Sequence, residues 1–179
     1  MTRNTQPRRR VKKMSTKYDR FFEGLAQRLT ADGFAVKRAT RLDPYQLDVM
    51  AAKSAWEIGK FGQMTRFVLA SGMEAVDAKT VQDFSSRSTK FALDNPGLLL
   101  PRGFGGSLLS VPVIVSDDFD EGLKKWISET LAEKHWPAFE FSVLISLKDR
   151  QIHYCKKTPI WGAAYYRGFR KFVEQQLSF

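Results

Sequence analysis

His153 and Cys155 are the residues whose types and spacing come closest to a metal-binding motif. They stand two positions apart on a predicted strand, so both side chains point to one face, and imidazole and thiolate are good zinc ligands. The only other histidine is His135, and nothing else in the sequence supplies further ligands at a usual spacing. We therefore interpret the pair as structural. No Ser-His-Asp or Cys-His catalytic arrangement is recognisable from spacing.

A glycine-rich segment at residues 101–106 could approach a phosphate closely through its backbone N–H groups, and Arg102 would add a positive charge. It lacks the Lys-Ser ending of a P-loop and does not open a helix. A crossing loop between a helix and a strand is the simpler interpretation. Arg102 is kept as a candidate nucleic-acid contact.

The positive charge of the chain is concentrated near its N-terminus. The net charge is +10, yet residues 1–14 hold six of the 29 basic residues and no acid, so the other 23 face 19 acidic residues. Such an arm can neutralise the phosphates of DNA or RNA, whereas the alternative is a disordered leader that aids solubility. Met14 is also a candidate translation start. The arm's candidate nucleic-acid contacts are Arg8, Arg9, Arg10, Lys12 and Lys13.

Residues 158–171 interleave aromatic and basic side chains, a composition that can stack bases and bind phosphates. Helical periodicity, however, places Tyr165 and Phe169 on one face, which is what a helix packed on a core requires. We predict that the aromatic residues belong to the core. The solvent-exposed face would then present Arg167, Arg170 and Lys171 as candidate nucleic-acid contacts.

These candidates must be positioned by an α/β fold. An apolar stripe from Tyr18 to Leu29 predicts a first helix, and three strands follow at 34–38, 46–52 and 65–70. A helix opening at Asp77 or Thr80, a strand at 108–115 and a helix capped by Asp118 and Glu121 come next. Strands at 139–147 and 152–156 and a last helix complete the order α-β-β-β-α-β-α-β-β-α. A run of three strands favours a mixed central sheet with helices on its faces.

Composition limits the class of protein. A hydrophobic content of 43% favours one globular domain at 15–179 behind a flexible arm at 1–14. No apolar run is long enough to span a membrane, and a single cysteine suits a reducing compartment, so we predict a cytoplasmic protein without a membrane partner. The oligomeric state is left open.

The first six elements resemble the core of the restriction-endonuclease-like (PD-(D/E)xK) nucleases. Gly33-Phe34-Ala35-Val36 and Leu47-Asp48-Val49-Met50-Ala51 are similar to a passage of the branch related to methylation-dependent restriction enzymes. The resemblance covers about residues 17–116. It implies that the strand aspartate, Asp48, binds a divalent metal and that the next strand supplies a Glu-x-Lys pair.

The third strand departs from that pattern, because Leu69 and Ser71 stand where the acid and the lysine are expected. A magnesium-dependent hydrolase needs at least two oxygen ligands, and one aspartate does not provide them. We therefore favour a nucleic-acid-binding domain with a degenerate active site and no cofactor. One alternative is an active Mg²⁺- or Mn²⁺-dependent nuclease in which Glu57 converges with Asp48. The other is a protein-interaction or structural module whose positive charge is incidental.

Overall fold

The computed structural model describes residues 16–57, 62–95, 107–131, 138–158 and 163–179. No helix in these ranges is long and apolar enough to cross a membrane. The helices are α1 Thr16–Ala31, α2 Ala78–Asp94, α3 Glu121–Glu129 and α4 Ala163–Gln176. The strands are β1 Ala35–Leu42, β2 Tyr45–Glu57, β3 Gly62–Gly72, β4 Ser107–Ser116, β5 Ala138–Glu140, β6 Val143–Ser146 and β7 Gln151–Tyr154.

The strands form one seven-stranded mixed sheet in the order β1-β2-β3-β4-β6-β7, with β5 also paired to β4. β1, β2 and β3 are successively antiparallel, as short connections require. β3, β4 and β6 are parallel, and α2 supplies the crossover between β3 and β4. The prediction of a mixed sheet in an α/β protein is confirmed.

Helices cover both faces of the sheet. α1 and α4 pack on one face through residues that include Phe22 and Phe172. α2 and α3 pack on the other face through residues that include Phe84 and Ile127. β4 lies between these layers and is buried from Leu108 to Ser116, which is expected of a central parallel strand. We call the two groups of core residues the α1–α4 cluster and the α2–α3 cluster.

The helix starts follow their capping residues. Asp77 caps α2, because its Oδ1 accepts a hydrogen bond from the N–H of Thr80 at 2.7 Å. The predicted cap of α3 was wrong by two residues. Asp120 occupies the N-cap and accepts from the N–H of Leu123 at 2.8 Å, whereas Asp118 forms ion pairs with lysines.

The predicted order of elements was wrong at one point, because the strand expected at 139–147 is two strands, β5 and β6. Both pair with β4 in one register. The N–H of Phe141 donates to the carbonyl of Ser110 at 2.9 Å, and in a parallel ladder the next N–H on that side of β4 belongs to residue 112. That residue is Pro112, which has no N–H to donate. The pairing is therefore interrupted beside residues 141 and 142, and the order becomes α-β-β-β-α-β-α-β-β-β-α.

Candidate functional site

Asp48 lies on β2 beside the end of β3. Its Oδ2 accepts a hydrogen bond from the backbone N–H of Gly72 at 2.8 Å. A Cβ at position 72 would stand 3.0 Å from the ring of Tyr18, so glycine lets α1 pack closely on this end of the strand. Asp48 is thus held between the sheet and the first turns of α1.

The strand is irregular at Asp48. Leu47 belongs to the α2–α3 cluster and Val49 to the α1–α4 cluster. Strict alternation along a strand would place Leu47 and Val49 on one face with Asp48 on the other, and the structure does not follow it here. On β1, Ala39 lies between the partners of Leu47 and Val49 and has a φ of 52°, which disturbs the simple alternation of side chains.

The Asp48 carboxyl is half-buried, and its burial raises its pKa above the ordinary value of 3.8. The hydrogen bond from Gly72 and the charge of Arg38 act in the opposite direction without cancelling the effect of burial. The site therefore disfavours a bare carboxylate.

The residues that would complete a nuclease site do not surround Asp48. Leu69 is completely buried in the α2–α3 cluster, and the Ser71 hydroxyl donates to the carbonyl of Gln46 at 2.8 Å. Glu57 lies at the other end of β2, and nine residues of extended strand span about 30 Å. The structure does not bring Asp48 and Glu57 together. No group of three or more His, Cys, Asp or Glu that could hold a metal ion occurs in the described ranges.

His153 and Cys155 do not form part of a metal site in that portion of the chain either. Burial lowers the pKa of His153, and its Nε2 is buried without a hydrogen-bond partner. Cys155 is buried, and its Sγ lies 3.8 Å from the carbonyl oxygen of Lys157. The interpretation of the pair as structural stays a prediction.

We expect Asp48→Asn to stabilise the protein at neutral pH, because an uncharged amide can keep the hydrogen bond from Gly72 without burying a charge. The raised pKa of Asp48 means that the folded state holds its proton more tightly than the unfolded state. The contribution of Asp48 to stability is therefore present at acidic pH and is lost as the pH rises through the folded-state pKa. Urea denaturation of both proteins should show the advantage of the variant growing between acidic and neutral pH. An advantage that does not change with pH would contradict this account.

The second candidate region is the solvent-exposed side of α4, where Arg167 and Lys171 are exposed as predicted. Arg170 is half-buried, and its Nη2 donates to the carbonyls of Lys156 and Lys157 at 3.0 and 2.8 Å. This contact ties the segment after β7 to α4. We call the resulting group the α4 basic surface; it consists of Lys156, Lys157, Arg167, Arg170 and Lys171.

The α4 basic surface differs from two cations of α2 in its ion pairs within the described chain. On α2, Arg87 pairs with Asp83 and Lys90 with Asp94, each one helical turn apart. In contrast, no member of the α4 basic surface has an ion pair with any described residue. The one acid of α4, Glu174, accepts a hydrogen bond from the Tyr154 hydroxyl. Sequence reasoning missed Lys156 and Lys157, since only the packing of α4 brings them beside Arg170.

The aromatic residues of α4 are part of the core, as predicted. Phe169 and Phe172 are buried in the α1–α4 cluster, and Tyr165 is half-buried and stacks on Phe139 with ring centroids 5.0 Å apart. Tyr166, which the prediction did not single out, is buried against Phe141. These rings are therefore occupied by the protein's own side chains and do not form a base-stacking surface.

A further basic group lies between α1 and the turn before β7. Arg20, Arg28 and Arg150 line a pocket of about 360 Å³, and none of the three pairs with an acid in the described ranges. The Nε of Arg28 donates to the carbonyl of Gln176 at 3.1 Å, while its Nη2 is buried without a partner. Arg150 stacks over the ring of Phe179. Because α1 and α4 cover the same face of the sheet, this pocket and the α4 residues of the α4 basic surface belong to that side of the molecule. Lys156 lies at the sheet edge, where its N–H donates to the carbonyl of Ser128 of α3 at 3.0 Å.

The arm residues Arg8, Arg9, Arg10, Lys12 and Lys13, and also Arg102, lie outside the described residues. Their predicted contacts with nucleic acid stay predictions.

Comparison with protein-family models, with curated proteins and with solved structures finds no match to this chain.

Proposed function

We propose that the chain is a nucleic-acid-binding domain built on a nuclease-like scaffold that has lost catalysis. The observation that carries the proposal is the α4 basic surface, where Lys156, Lys157, Arg167 and Lys171 are exposed without acidic partners in the described chain. Arg170 ties residues 156 and 157 to α4. Cations that are not paired within a protein are free to neutralise phosphates and release their counterions. The pocket lined by Arg20, Arg28 and Arg150 adds positive charge on the same side of the sheet.

The scaffold part of the proposal is supported by the arrangement of residues 16–116. A helix, three antiparallel strands, a second helix and a strand parallel to the third follow one another in this range. The resemblance of residues 17–116 to the restriction-endonuclease-like nucleases implies this order of elements. Loss of catalysis is supported by the surroundings of Asp48, where Leu69 and Ser71 replace the expected acid and lysine.

Binding to phosphates explains the α4 basic surface better than an incidental positive charge does. Several exposed cations gathered on one helix and the segment tied to it form a surface of one sign, which a structural module has no need of. The α4 basic surface is also present in a protein that lacks the arm, since all of its members lie after residue 155.

The proposal is tested by a salt titration of DNA and RNA binding, with the whole chain and with a protein beginning at Met14. We expect the shorter protein to bind, and its affinity to fall steeply and linearly on a log-log plot of affinity against salt. If it does not bind even at low salt, the folded domain has no phosphate-binding surface and the proposal is wrong.

Asp48→Ala separates a binding domain from an active nuclease. We expect this variant to bind nucleic acid with an affinity within about twofold of the natural chain, because a lone half-buried acid contributes no phosphate contact. Neither protein should cleave DNA or RNA in the presence of Mg²⁺ or Mn²⁺. Metal-dependent cleavage by the natural chain that disappears in Asp48→Ala would instead establish an active site at Asp48.

A further inference from the structure

A cavity of about 420 Å³ lies between α2, α3 and the gap that separates β5 from β6. The gap exists because Pro112 cannot donate a backbone hydrogen bond to residue 141. Trp126, Ile127 and Tyr166 contribute apolar surface to the lining, and Ser85, Glu140 and Ser142 contribute polar groups. Lys79 and Asp83 of α2 also line the cavity with one charge of each sign, so Glu140 leaves the lining with a net negative charge. A volume of a few hundred Å³ with apolar walls and a small polar group is typical of sites for small molecules.

The polar part of the lining is organised around Glu140. The Ser85 hydroxyl donates to Glu140 Oε1 at 2.5 Å, and the Thr89 hydroxyl donates to Oε2 at 3.0 Å. Ser142 Oγ lies 2.5 Å from Ser85 Oγ and 3.5 Å from Glu140 Oε1. These hydroxyl groups fix the orientation of the Glu140 side chain.

Glu140 has no cationic partner among the residues that the structure describes. No lysine, arginine or histidine of the described residues lies within ion-pair distance of it, although Glu140 is half-buried. Two other acids near the cavity are paired, Asp83 with Arg87 and Asp118 with Lys124. A carboxylate that is partly removed from water without a countercharge costs free energy, and a cation supplied by a ligand offsets that cost.

We propose that this cavity binds a small organic ammonium ion with an aliphatic or aromatic body. The ammonium group donates hydrogen bonds to Glu140, and the body packs against Trp126, Ile127 and Tyr166. A cation gains additionally from contact with aromatic faces. An organic anion is repelled by Glu140. A bare metal ion fits less well, because the residues described here hold no group of three metal-binding side chains.

The proposal is tested by calorimetric titration of the full chain with three probes of similar shape: 2-phenylethylammonium, 2-phenylethanol and phenylacetate. We expect the ammonium ion to bind roughly tenfold more tightly than the neutral alcohol, because a charge-assisted hydrogen bond replaces a neutral one. Phenylacetate should not bind. Equal affinity for the ammonium ion and the alcohol, or no binding of the ammonium ion at millimolar concentration, overturns the proposal.

Glu140→Gln locates the interaction. This variant should bind 2-phenylethylammonium roughly tenfold more weakly and bring its affinity close to that of the alcohol. Glu129→Gln is the matched control, since Glu129 is an exposed acid of α3 outside the lining, and it should leave the affinity unchanged. An unchanged affinity in Glu140→Gln also overturns the proposal. The three-probe comparison uses only the natural chain, so it decides the question even if Glu140→Gln does not fold. Neither assay involves nucleic acid, so the outcome is independent of the proposed function.

Discussion

Replacing four cations of the α4 basic surface with glutamine should weaken nucleic-acid binding by roughly 100- to 1,000-fold at about 0.1 M salt, because each cation releases close to one counterion when it neutralises a phosphate. The four are Lys156, Lys157, Arg167 and Lys171, all of which are exposed. Arg170 is left in place, since it anchors residues 156–158 to α4 and its loss would disturb the surface itself. The slope of log affinity against log salt should become shallower by about 3.

A matched control removes the same total charge from elsewhere on the molecule. Lys37, Arg41, Lys79 and Lys90 are exposed residues of β1 and α2, on the side of the sheet away from α4 or at its edge. Their replacement with glutamine should lower affinity by less than about tenfold, through the net charge alone. Equal losses in the two variants would show that binding follows net charge and not a defined surface. Circular dichroism of both variants checks that the fold is kept.

Local patterns were sufficient to predict most of the elements. The residues Tyr18 to Leu29 repeat with helical spacing, and the members of this stripe are buried in α1 as that spacing requires. The cap at Asp77 and the three successive strands β1 to β3 are likewise predictable from short stretches of sequence. In such segments the local preference and the tertiary packing agree.

The failures occur where the deciding contact is distant in sequence. The break between β5 and β6 is caused by Pro112, which lies about thirty residues earlier and whose pairing partner depends on the parallel register. The alternation rule failed at Asp48 because the neighbouring strand is irregular at Ala39. In neither case does the sequence of the altered strand itself indicate the change.

The same reason explains which site residues were missed. The hydroxyl groups around Glu140 belong to Ser85 and Thr89 of α2 and to Ser142 in the segment between β5 and β6. Serine and threonine inside a helix carry no distinctive signal, so nothing local indicates that they face a carboxylate more than fifty residues away. The exposure of Arg167 and Lys171 on α4, in contrast, could be predicted, because the apolar residues of the helix occupy the face that packs on the core.

A single substitution at position 69 should not create a metal site beside Asp48. Leu69→Glu is expected to lower the free energy of unfolding by about 3 kcal/mol or more, because it places a carboxylate without a partner in a packed core. Leu69 is completely buried in the α2–α3 cluster. Its strand-pairing partners are Met50 on β2 and Pro112 on β4. Urea denaturation measures the loss. Leu69→Met is the matched control and should cost less than about 1.5 kcal/mol, since it keeps both volume and polarity.

Adding Mn²⁺ to Leu69→Glu distinguishes a closed core from a metal site that lacks one ligand. If Asp48 and residue 69 could share an ion, the metal would bind only the folded variant and raise its free energy of unfolding. We expect no such rescue, because Asp48 is directed at the N–H of Gly72 while Leu69 packs with α2 and α3. A variant that retains the stability of the natural chain, or that millimolar Mn²⁺ stabilises, would contradict this expectation. It would mean that β3 has space for a metal ligand at position 69 beside Asp48.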